Sequence, residues 1–309
     1  MNKPLVVLVG PTASGKTEVA EQLIKRHPLE IISADSRQIY KFMDIGTGKP
    51  AKKEVHHLID IAKPDKGFTV ADYNERAEKI IKKIYKKKKI PFLVGGSGLY
   101  IRAVIDGLCP APAGNLKIRR LLEQDAKEHG QNSLFSRLKE VDPVAASRIH
   151  PNDLRRIIRA LEVYIQTGRP ISYYHRLTPK PCYDLLMIGI RHPMNELYKK
   201  INSRVDSMIE SGLIKEVERL LAAGYKENFR AMESLGYKEI TGYLRGKYKL
   251  EEAIWLLKRN TRRYARRQMI WFRKDKRIKW IDIQNENISS VTKEAGKILD
   301  NFLKMEYTD

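Results

Sequence analysis

The sequence predicts an α/β fold in which a parallel sheet is flanked by helices and interrupted by a helical insertion. Short apolar runs alternate with helical patterns over the first third of the chain, as is typical of parallel sheets. From about residue 118 the pattern becomes helical, and strand patterns return at Leu185–Ile190 and Ile278–Ile283. The predicted core therefore covers residues 1–117 and 186–309, and the predicted insertion domain covers residues 118–185.

The strands of the first third are short apolar runs that end in turn signals. In chain order these runs are Pro4–Val9, Glu30–Ala34, Leu58–Ile61 and Pro91–Val94. A helix from Thr69 to about Lys86 separates the last two runs, and Thr69 is a suitable residue to cap it. This order of elements favours a parallel sheet.

The insertion and the last third of the chain are predicted to be mainly helical. Asp153 is a suitable cap for the clearest helix of the insertion, which Gly168 and Pro170 end. We expect one long helix or a kinked pair from Leu250 to Arg273. An amphipathic helix is expected from about residue 291 to residue 305.

The loop after the first strand, Gly10 to Thr17, fits the pattern G-x-x-x-x-G-K-[ST]. A strand followed by such a loop and a helix directs several backbone N–H groups at one anion. In this pattern Lys16 reaches the terminal phosphates and the Thr17 hydroxyl binds Mg²⁺. The motif therefore predicts a P-loop NTPase-like core that holds a diphosphate or triphosphate group.

A second candidate segment, Asp35-Ser36-Arg37-Gln38, begins where the second strand ends. Because ligands of parallel sheets lie beyond the carboxyl ends of the strands, we expect Asp35 beside the phosphates. Its carboxylate is suited to three roles: a metal ligand, a general base or a helix cap. Ser36, Arg37 and Gln38 offer groups that bind base edges and backbone phosphates.

Two further residues bear on the chemistry of this edge. The fourth strand ends in Gly95-Gly96, so the acidic partner usual in nucleotide hydrolases is absent there. Arg204 lies on a helical pattern with Leu197 and Ile201 and flanks its buried face. A half-buried guanidinium needs an anion, which the sequence leaves open as a structural carboxylate or the diphosphate.

The net charge indicates a polyanionic partner. The chain has 59 basic and 37 acidic residues, a formal charge of +22, which is typical of proteins that bind nucleic acid. Arginines alternate with aromatic residues between Thr261 and Arg273, a pattern suited to phosphates and unstacked bases. Arg155, Arg156 and Arg159 flank the apolar stripe of the insertion helix that Asp153 caps, and they fit either a solvated face or an RNA surface.

Other classes of protein are disfavoured. No apolar run reaches the length of a membrane-spanning helix, and no basic amphipathic helix suits a membrane surface. The two cysteines, Cys109 and Cys182, lack metal-ligand spacing, and the chain starts close to a strand, so we expect a cytoplasmic protein without a signal peptide. His56 and His57 are adjacent on a predicted strand and would point to opposite faces, which argues against zinc.

Taken together, these segments resemble the tRNA dimethylallyltransferase (tRNA isopentenyltransferase, IPP transferase) family, bacterial type. The phosphate loop followed at this distance by Asp35-Ser36-Arg37-Gln38 is the specific part of the resemblance, which spans nearly the whole chain. The matching segments are, in order, Gly10–Thr17, Asp35–Tyr40, Gly46–Pro50, His56–Asp60, Val94–Tyr100, Arg159–Val163, Gly168–Pro170, Gly212–Leu213, Leu235–Tyr237 and Thr261–Arg273.

The resemblance implies transfer of a dimethylallyl group from dimethylallyl diphosphate to tRNA, with release of diphosphate. The acceptor would be N6 of the adenosine 3′-adjacent to the anticodon, in tRNAs that read codons beginning with U. The implied catalytic residues are Asp35 as the base, and Thr17 and Arg204 at the leaving group, with Mg²⁺ on Thr17. The expected partners are the anticodon stem-loop and dimethylallyl diphosphate, and we expect a monomer.

The resemblance also implies two sets of binding residues. The diphosphate would be held by Gly10, Thr12, Ala13, Ser14, Gly15, Lys16 and Thr17. The tRNA would be contacted by Asp35, Ser36, Arg37, Gln38, Ser97, Arg155, Arg156 and Arg159.

Two other functions remain open at this point. In a P-loop small-molecule kinase, Asp35 would activate a hydroxyl and the insertion would act as a lid. This function predicts tight ATP binding but gives no reason for the net charge of +22. In a non-enzymatic RNA-binding protein with a relict nucleotide loop, Asp35→Ala would leave function intact.

Overall fold

A computed structural model describes residues 3–283 and 287–307 of the chain and contains two compact units. The first unit comprises the residues up to Ile105 and those from Cys182 onward, and the second unit is Asp106–Pro181. The second unit thus starts earlier and ends earlier than the predicted insertion of residues 118–185.

The difference in the boundaries has a local cause. The Pro112 carbonyl accepts a hydrogen bond from Arg159, and the backbone N–H of Asn115 donates to Glu162, so the segment before residue 118 is bonded to the second unit. At the other end, the next strand already begins at Tyr183. Neither contact has a local sequence signature.

The first unit contains a six-stranded sheet. Its strands are β1 (Lys3–Val9), β2 (Leu29–Ser33), β3 (His56–His57), β4 (Ile90–Gly95), β5 (Tyr183–Arg191) and β6 (Ile278–Asp282). The order is β3-β2-β4-β1-β5-β6, and every neighbouring pair is parallel. The predicted fold class is confirmed.

The helices that the sequence predicts are present, and the structure adds others, such as the one that follows β4. In the described residues they are α1 (Lys16–Leu23), α2 (Val70–Lys86), α3 (Gly98–Asp106), α4 (Leu116–His129), α5 (Gln131–Val141), α6 (Pro143–Ala146), α7 (Leu154–Thr167), α8 (Ile171–Arg176), α9 (Met194–Glu210), α10 (Leu213–Ala222), α11 (Tyr237–Leu244), α12 (Leu250–Phe272) and α13 (Ile288–Tyr307). Thr69 caps α2 and Asp153 caps α7, as expected. The segment from Leu250 onward is one helix, α12, rather than a pair.

The third predicted strand, Leu58–Ile61, was placed wrongly. The strand is His56–His57 instead, because Leu58 (φ +65°) and Asp60 (φ +56°) adopt left-handed conformations that a strand does not accommodate. Buried Leu58 therefore lies in a turn. The two histidines bond to different partners, His56 to Glu21 at 3.2 Å and His57 to Glu30 at 3.0 Å.

Both faces of the sheet are covered. Along β1, Leu5, Val7 and Val9 pack into one apolar core with residues of α2, α3 and α10, while Val6 and Leu8 pack into the other with α1 and α13. A sheet covered on both faces leaves its carboxyl edge as the place for a ligand. The second unit has its own apolar core, built from α4, α5, α6, α7 and α8.

None of the helices described in the two ranges is long and apolar enough to cross a membrane.

Candidate functional site

A cavity of about 530 Å³ lies at the carboxyl edge of the sheet in the first unit. Its walls are the loop after β1, the ends of β2 and β4, a turn at residues 46–48, and parts of α9 and α12. The phosphate loop, Asp35 and Arg204 therefore meet in one cavity, as the rule for parallel sheets predicts.

The phosphate loop has the backbone conformation of an anion site. Ala13 (φ +62°) and Gly15 (φ +82°) are both left-handed, a conformation that turns successive N–H groups inward. The N-terminus of α1 follows at Lys16, so its free N–H groups add to the positive field. Gly10 does not line the cavity. A Cβ atom at this position would stand 2.7 Å from the Ile190 carbonyl oxygen.

Lys16 is folded back onto its own loop. Its Nζ donates to the Pro11 carbonyl at 2.6 Å and to Ser14 Oγ at 3.4 Å. The pKa of Lys16 is lowered to about 8, mainly by burial; the charge of Asp35 opposes this shift and the charge of Arg204 adds to it. The ammonium is thus held in a desolvated site that an anion would stabilise.

Arg204 packs against the turn at residues 46–48. Gly48 is left-handed (φ +57°), and a Cβ atom at this position would collide with the guanidinium. Burial lowers the pKa of Arg204, while the charge of Asp35 opposes this. Within residues 3–283 and 287–307 the guanidinium forms no ion pair, so the structural carboxylate considered above is not its partner.

Asp35 lies two residues beyond β2 and lines the cavity. Its Oδ1 accepts the backbone N–H of Arg37 at 2.8 Å, which forms a turn rather than a helix N-terminus. The helix-cap role is therefore not the one observed. Its second oxygen, Oδ2, has no hydrogen-bond partner in the described part of the chain, so it is available to a proton donor in the cavity.

The residues after Asp35 are tied to their surroundings. The N–H of Ser36 donates to Ser97 Oγ at 2.9 Å, which joins the ends of β2 and β4, and both residues lie just outside the cavity lining. Arg37 donates to the Arg230 carbonyl at 2.9 Å, and the Gln38 amide donates to the Gly48 carbonyl at 3.2 Å.

Gln268 of α12 is a part of the site that sequence reasoning missed. Its Oε1 accepts the N–H of Thr12 at 2.9 Å and its Nε2 donates to the Gly96 carbonyl at 2.9 Å. The buried amide thus fixes the phosphate loop against the end of β4. The available signal was the spacing of Leu257, Thr261, Tyr264 and Gln268, which places all four on one face of α12, toward the cavity.

Glu216 of α10 was also missed. Its buried carboxylate accepts the N–H groups of Asp44 (2.9 Å), Ile45 (2.9 Å) and Gly46 (3.2 Å), and the Tyr237 hydroxyl at 2.6 Å. These bonds fix the turn that contacts Arg204. The signal was a carboxylate on the apolar face of an amphipathic helix.

The three arginines of α7 lie in the second unit and differ in their contacts. Arg155 is exposed and has no ion-pair partner in the described ranges, and Arg156 pairs with Asp153 at 3.4 Å. Arg159 donates to the buried carboxylate of Glu162 at 2.6 Å, which Arg119 also contacts at 2.8 Å. Burial alone would raise the pKa of Glu162, but the two guanidinium groups hold it below its usual value.

Comparisons with known proteins show the family of the chain. Residues 38–275 match the family model described as IPP transferase. A tRNA dimethylallyltransferase of Carboxydothermus hydrogenoformans is 51% identical over 98% of this chain and 100% of its own length. Another, of Geobacter sulfurreducens, is 48% identical over 95% of this chain and 96% of its own length.

Solved structures extend the comparison. The tRNA isopentenylpyrophosphate transferase of Bacillus halodurans is 41% identical, with a TM-score of 0.71 over 99% of both chains. A eukaryotic dimethylallyltransferase, studied crystallographically as it acts on tRNA, is 25% identical, with a TM-score of 0.82 over 98% of this chain and 80% of that one.

Proposed function

Because the chain belongs to the IPP transferase family, we propose that it is a tRNA dimethylallyltransferase that uses dimethylallyl diphosphate as donor. The observation that carries this proposal is that a phosphate loop, Asp35 and an arginine without a carboxylate partner line one cavity. The acceptor that we propose is N6 of the adenosine 3′-adjacent to the anticodon, in tRNAs that read codons beginning with U.

Asp35 is the proposed general base. The exocyclic amine of adenine is a weak nucleophile, so removal of its proton as it attacks lowers the barrier. The N6–C1 bond forms, the bond from C1 to the diphosphate oxygen breaks, and the proton passes from N6 to the free Oδ2 of Asp35. The adenine must leave its base stack to enter the cavity.

The leaving diphosphate is stabilised by the loop N–H groups together with Lys16 and Arg204, whose charges are already in place. The Thr17 hydroxyl also lines the cavity and would bind Mg²⁺. No group of three or more acidic, histidine or cysteine ligands lies within the described residues, which fits a magnesium ion that takes most of its ligands from phosphate and water. When bound, the ion neutralises charge on the diphosphate.

The tRNA contacts that we propose are Asp35, Ser36, Arg37, Gln38 and Ser97 at the cavity, and Arg155, Arg156 and Arg159 on α7. Exposed Arg155 is free to meet a phosphate as it stands, whereas Arg159 is engaged with Glu162. We propose that the protein acts as a monomer, and a tRNA substrate supports a cytoplasmic location. The kinase and non-enzymatic alternatives are not favoured by the names of the relatives.

Arg155→Ala and Arg159→Ala are expected to separate RNA binding from stability. Arg155→Ala should reduce the salt dependence of tRNA binding by the equivalent of about one phosphate contact, without changing the melting temperature. Arg159→Ala should lower the free energy of unfolding by about 1–3 kcal/mol, because Glu162 loses one of its two guanidinium partners. Binding titrations at several salt concentrations and thermal unfolding measure the two effects; an unchanged salt slope for Arg155→Ala would remove it from the interface.

The affinity for dimethylallyl diphosphate is expected to fall as the pH rises above about 8. Lys16 is charged below its lowered pKa of about 8. Above this pH the amine is neutral in the free protein and must take up a proton when the diphosphate binds. The dissociation constant should therefore rise by up to about tenfold per pH unit. Calorimetric titration between pH 7 and pH 10 measures the dissociation constant. The donor is already fully ionised over most of this range, so its own ionisation does not contribute to the change. Lys16→Gln should bind weakly at every pH; a flat wild-type profile would contradict the assignment.

A transfer assay tests the proposed function. An unmodified anticodon stem-loop is incubated with Mg²⁺ and either labelled dimethylallyl diphosphate or γ-labelled ATP, and a stem-loop with guanosine at the acceptor position is the control. Label from the prenyl donor should enter the adenosine-containing RNA only. Phosphoryl transfer from ATP without prenyl transfer would replace the proposal with the kinase, and RNA binding without either reaction would replace it with the non-enzymatic protein.

A further inference from the structure

A second cleft, of about 490 Å³, lies beside the cavity of the candidate site and in the same unit. One of its sides is formed by residues of the segment 44–53, and the other by residues 204–211 of α9 and its C-terminal end. Apolar atoms make up most of its wall, and Ile45, Pro50 and Ala51 are among the residues that line it. The second cleft is therefore suited to a hydrocarbon group.

The second cleft and the cavity share a wall, because Gly48, Arg204 and Met208 line both of them. Two of these residues are engaged with each other, since the Arg204 guanidinium lies where a Cβ atom on Gly48 would stand. Met208 lies one helical turn beyond Arg204 on the same face of α9, and its uncharged side chain is half-buried. The Met208 side chain is thus the part of the wall that can be shortened without removing a charge or disturbing the turn.

Four apolar side chains line the cavity and belong to one core. Val205 and Leu257 are buried members of the core that covers one face of the sheet, and Met208 and Leu235 pack against it. The phosphate loop and Arg204 would hold the diphosphate of the donor, so we expect its hydrocarbon chain to lie against these apolar side chains. A chain that extends past Arg204 along α9 meets Met208 at the shared wall.

We propose that Met208 sets the length of the prenyl donor: its side chain closes the cavity behind a five-carbon chain and keeps longer allylic diphosphates out of the second cleft. This rests on the proposed function, since it takes a prenyl diphosphate as the donor. A ten-carbon donor would react by the same displacement, in which the N6–C1 bond forms, the bond from C1 to the diphosphate oxygen breaks and the proton passes to Asp35. Met208 is a specificity-determining residue, which acts through the space that it fills.

The test compares dimethylallyl diphosphate with geranyl diphosphate, which has ten carbons, as donors to the same unmodified stem-loop. Met208→Ala opens the shared wall. It should raise kcat/KM for geranyl diphosphate, relative to that for dimethylallyl diphosphate, by about 10- to 200-fold, the range for a methylene-sized change in an apolar pocket. Met208→Val is a smaller truncation that should give a smaller rise, and it decides the outcome if Met208→Ala does not fold.

Val205→Ala is the matched control. It enlarges the same cavity from the same helix, but Val205 does not line the second cleft, so the ratio for the two donors should change little. A double variant locates the added carbons. Ala51 is exposed and lines the second cleft but not the cavity, so Ala51→Phe combined with Met208→Ala fills the cleft from its other side and should remove most of the gain.

An unchanged ratio in the Met208 variants, an equal gain in Val205→Ala, or a gain that the double variant keeps would overturn the proposal. Transfer from dimethylallyl diphosphate by the wild type is scored first. Its failure would overturn the proposed function and the role of Met208 with it, whereas wild-type transfer with unchanged ratios in the variants would overturn the role of Met208 alone.

Discussion

Asp35→Asn is expected to lower kcat by about 10²- to 10⁴-fold, the usual contribution of a general base. Asparagine keeps the size of the side chain, and its carbonyl oxygen can still accept the N–H of Arg37 that fixes the turn. The change therefore removes the proton acceptor without removing the local structure. Single-turnover prenyl transfer, with tRNA and donor both saturating, measures the chemical step.

The affinity of Asp35→Asn for tRNA should remain close to that of the wild type, because the cavity wall is retained. A loss of affinity as large as the loss of turnover would make Asp35 a binding residue. Ser36→Ala is the contrasting variant: its backbone N–H, which bonds Ser97, is unchanged, so turnover at saturating tRNA should be nearly normal, and the loss of its hydroxyl should weaken only the affinity for tRNA.

Glu216→Gln is expected to lower the free energy of unfolding by about 3 kcal/mol and to weaken diphosphate binding. Each carboxylate oxygen accepts two hydrogen bonds, one pair from Asp44 and Ile45, the other from Gly46 and Tyr237. The amide can accept at one oxygen only, so its NH₂ group faces two buried donors, each costing about 1–3 kcal/mol when unsatisfied.

The effect on binding follows from the turn at residues 46–48. Once the turn loosens, Gly48 no longer supports the Arg204 guanidinium, so KM for dimethylallyl diphosphate should rise more than kcat falls. Tyr237→Phe is the control, because it removes one of the four bonds and should cost about 1 kcal/mol. Denaturant unfolding and steady-state kinetics measure both. A Glu216→Gln protein with wild-type stability would show that the carboxylate does not hold the turn.

The sequence predicts the parts of the site that depend on local patterns. The phosphate loop and Asp35 follow directly after strands, and the strands are parallel, so their meeting at one edge could be inferred. Glu216 and Gln268 could not be assigned, because their partners lie 172 and 256 positions away in the chain. The contact between Arg159 and Glu162 also escaped prediction, although the two are three residues apart, because burial of the carboxylate depends on packing of the second unit.

The strand order also has a consequence for synthesis. The central strand β1 pairs with β5, with Lys3 opposite Tyr183. This pairing cannot form until β5 has been synthesised, and it joins two segments that are far apart in the chain. Such long-range pairing is slow to form. The second unit has its own core, so it can fold before the sheet of the first unit is complete. The bond from Gln268 to Thr12 cannot form before α12 has been synthesised, so a nascent chain is expected to be inactive until α12 has emerged.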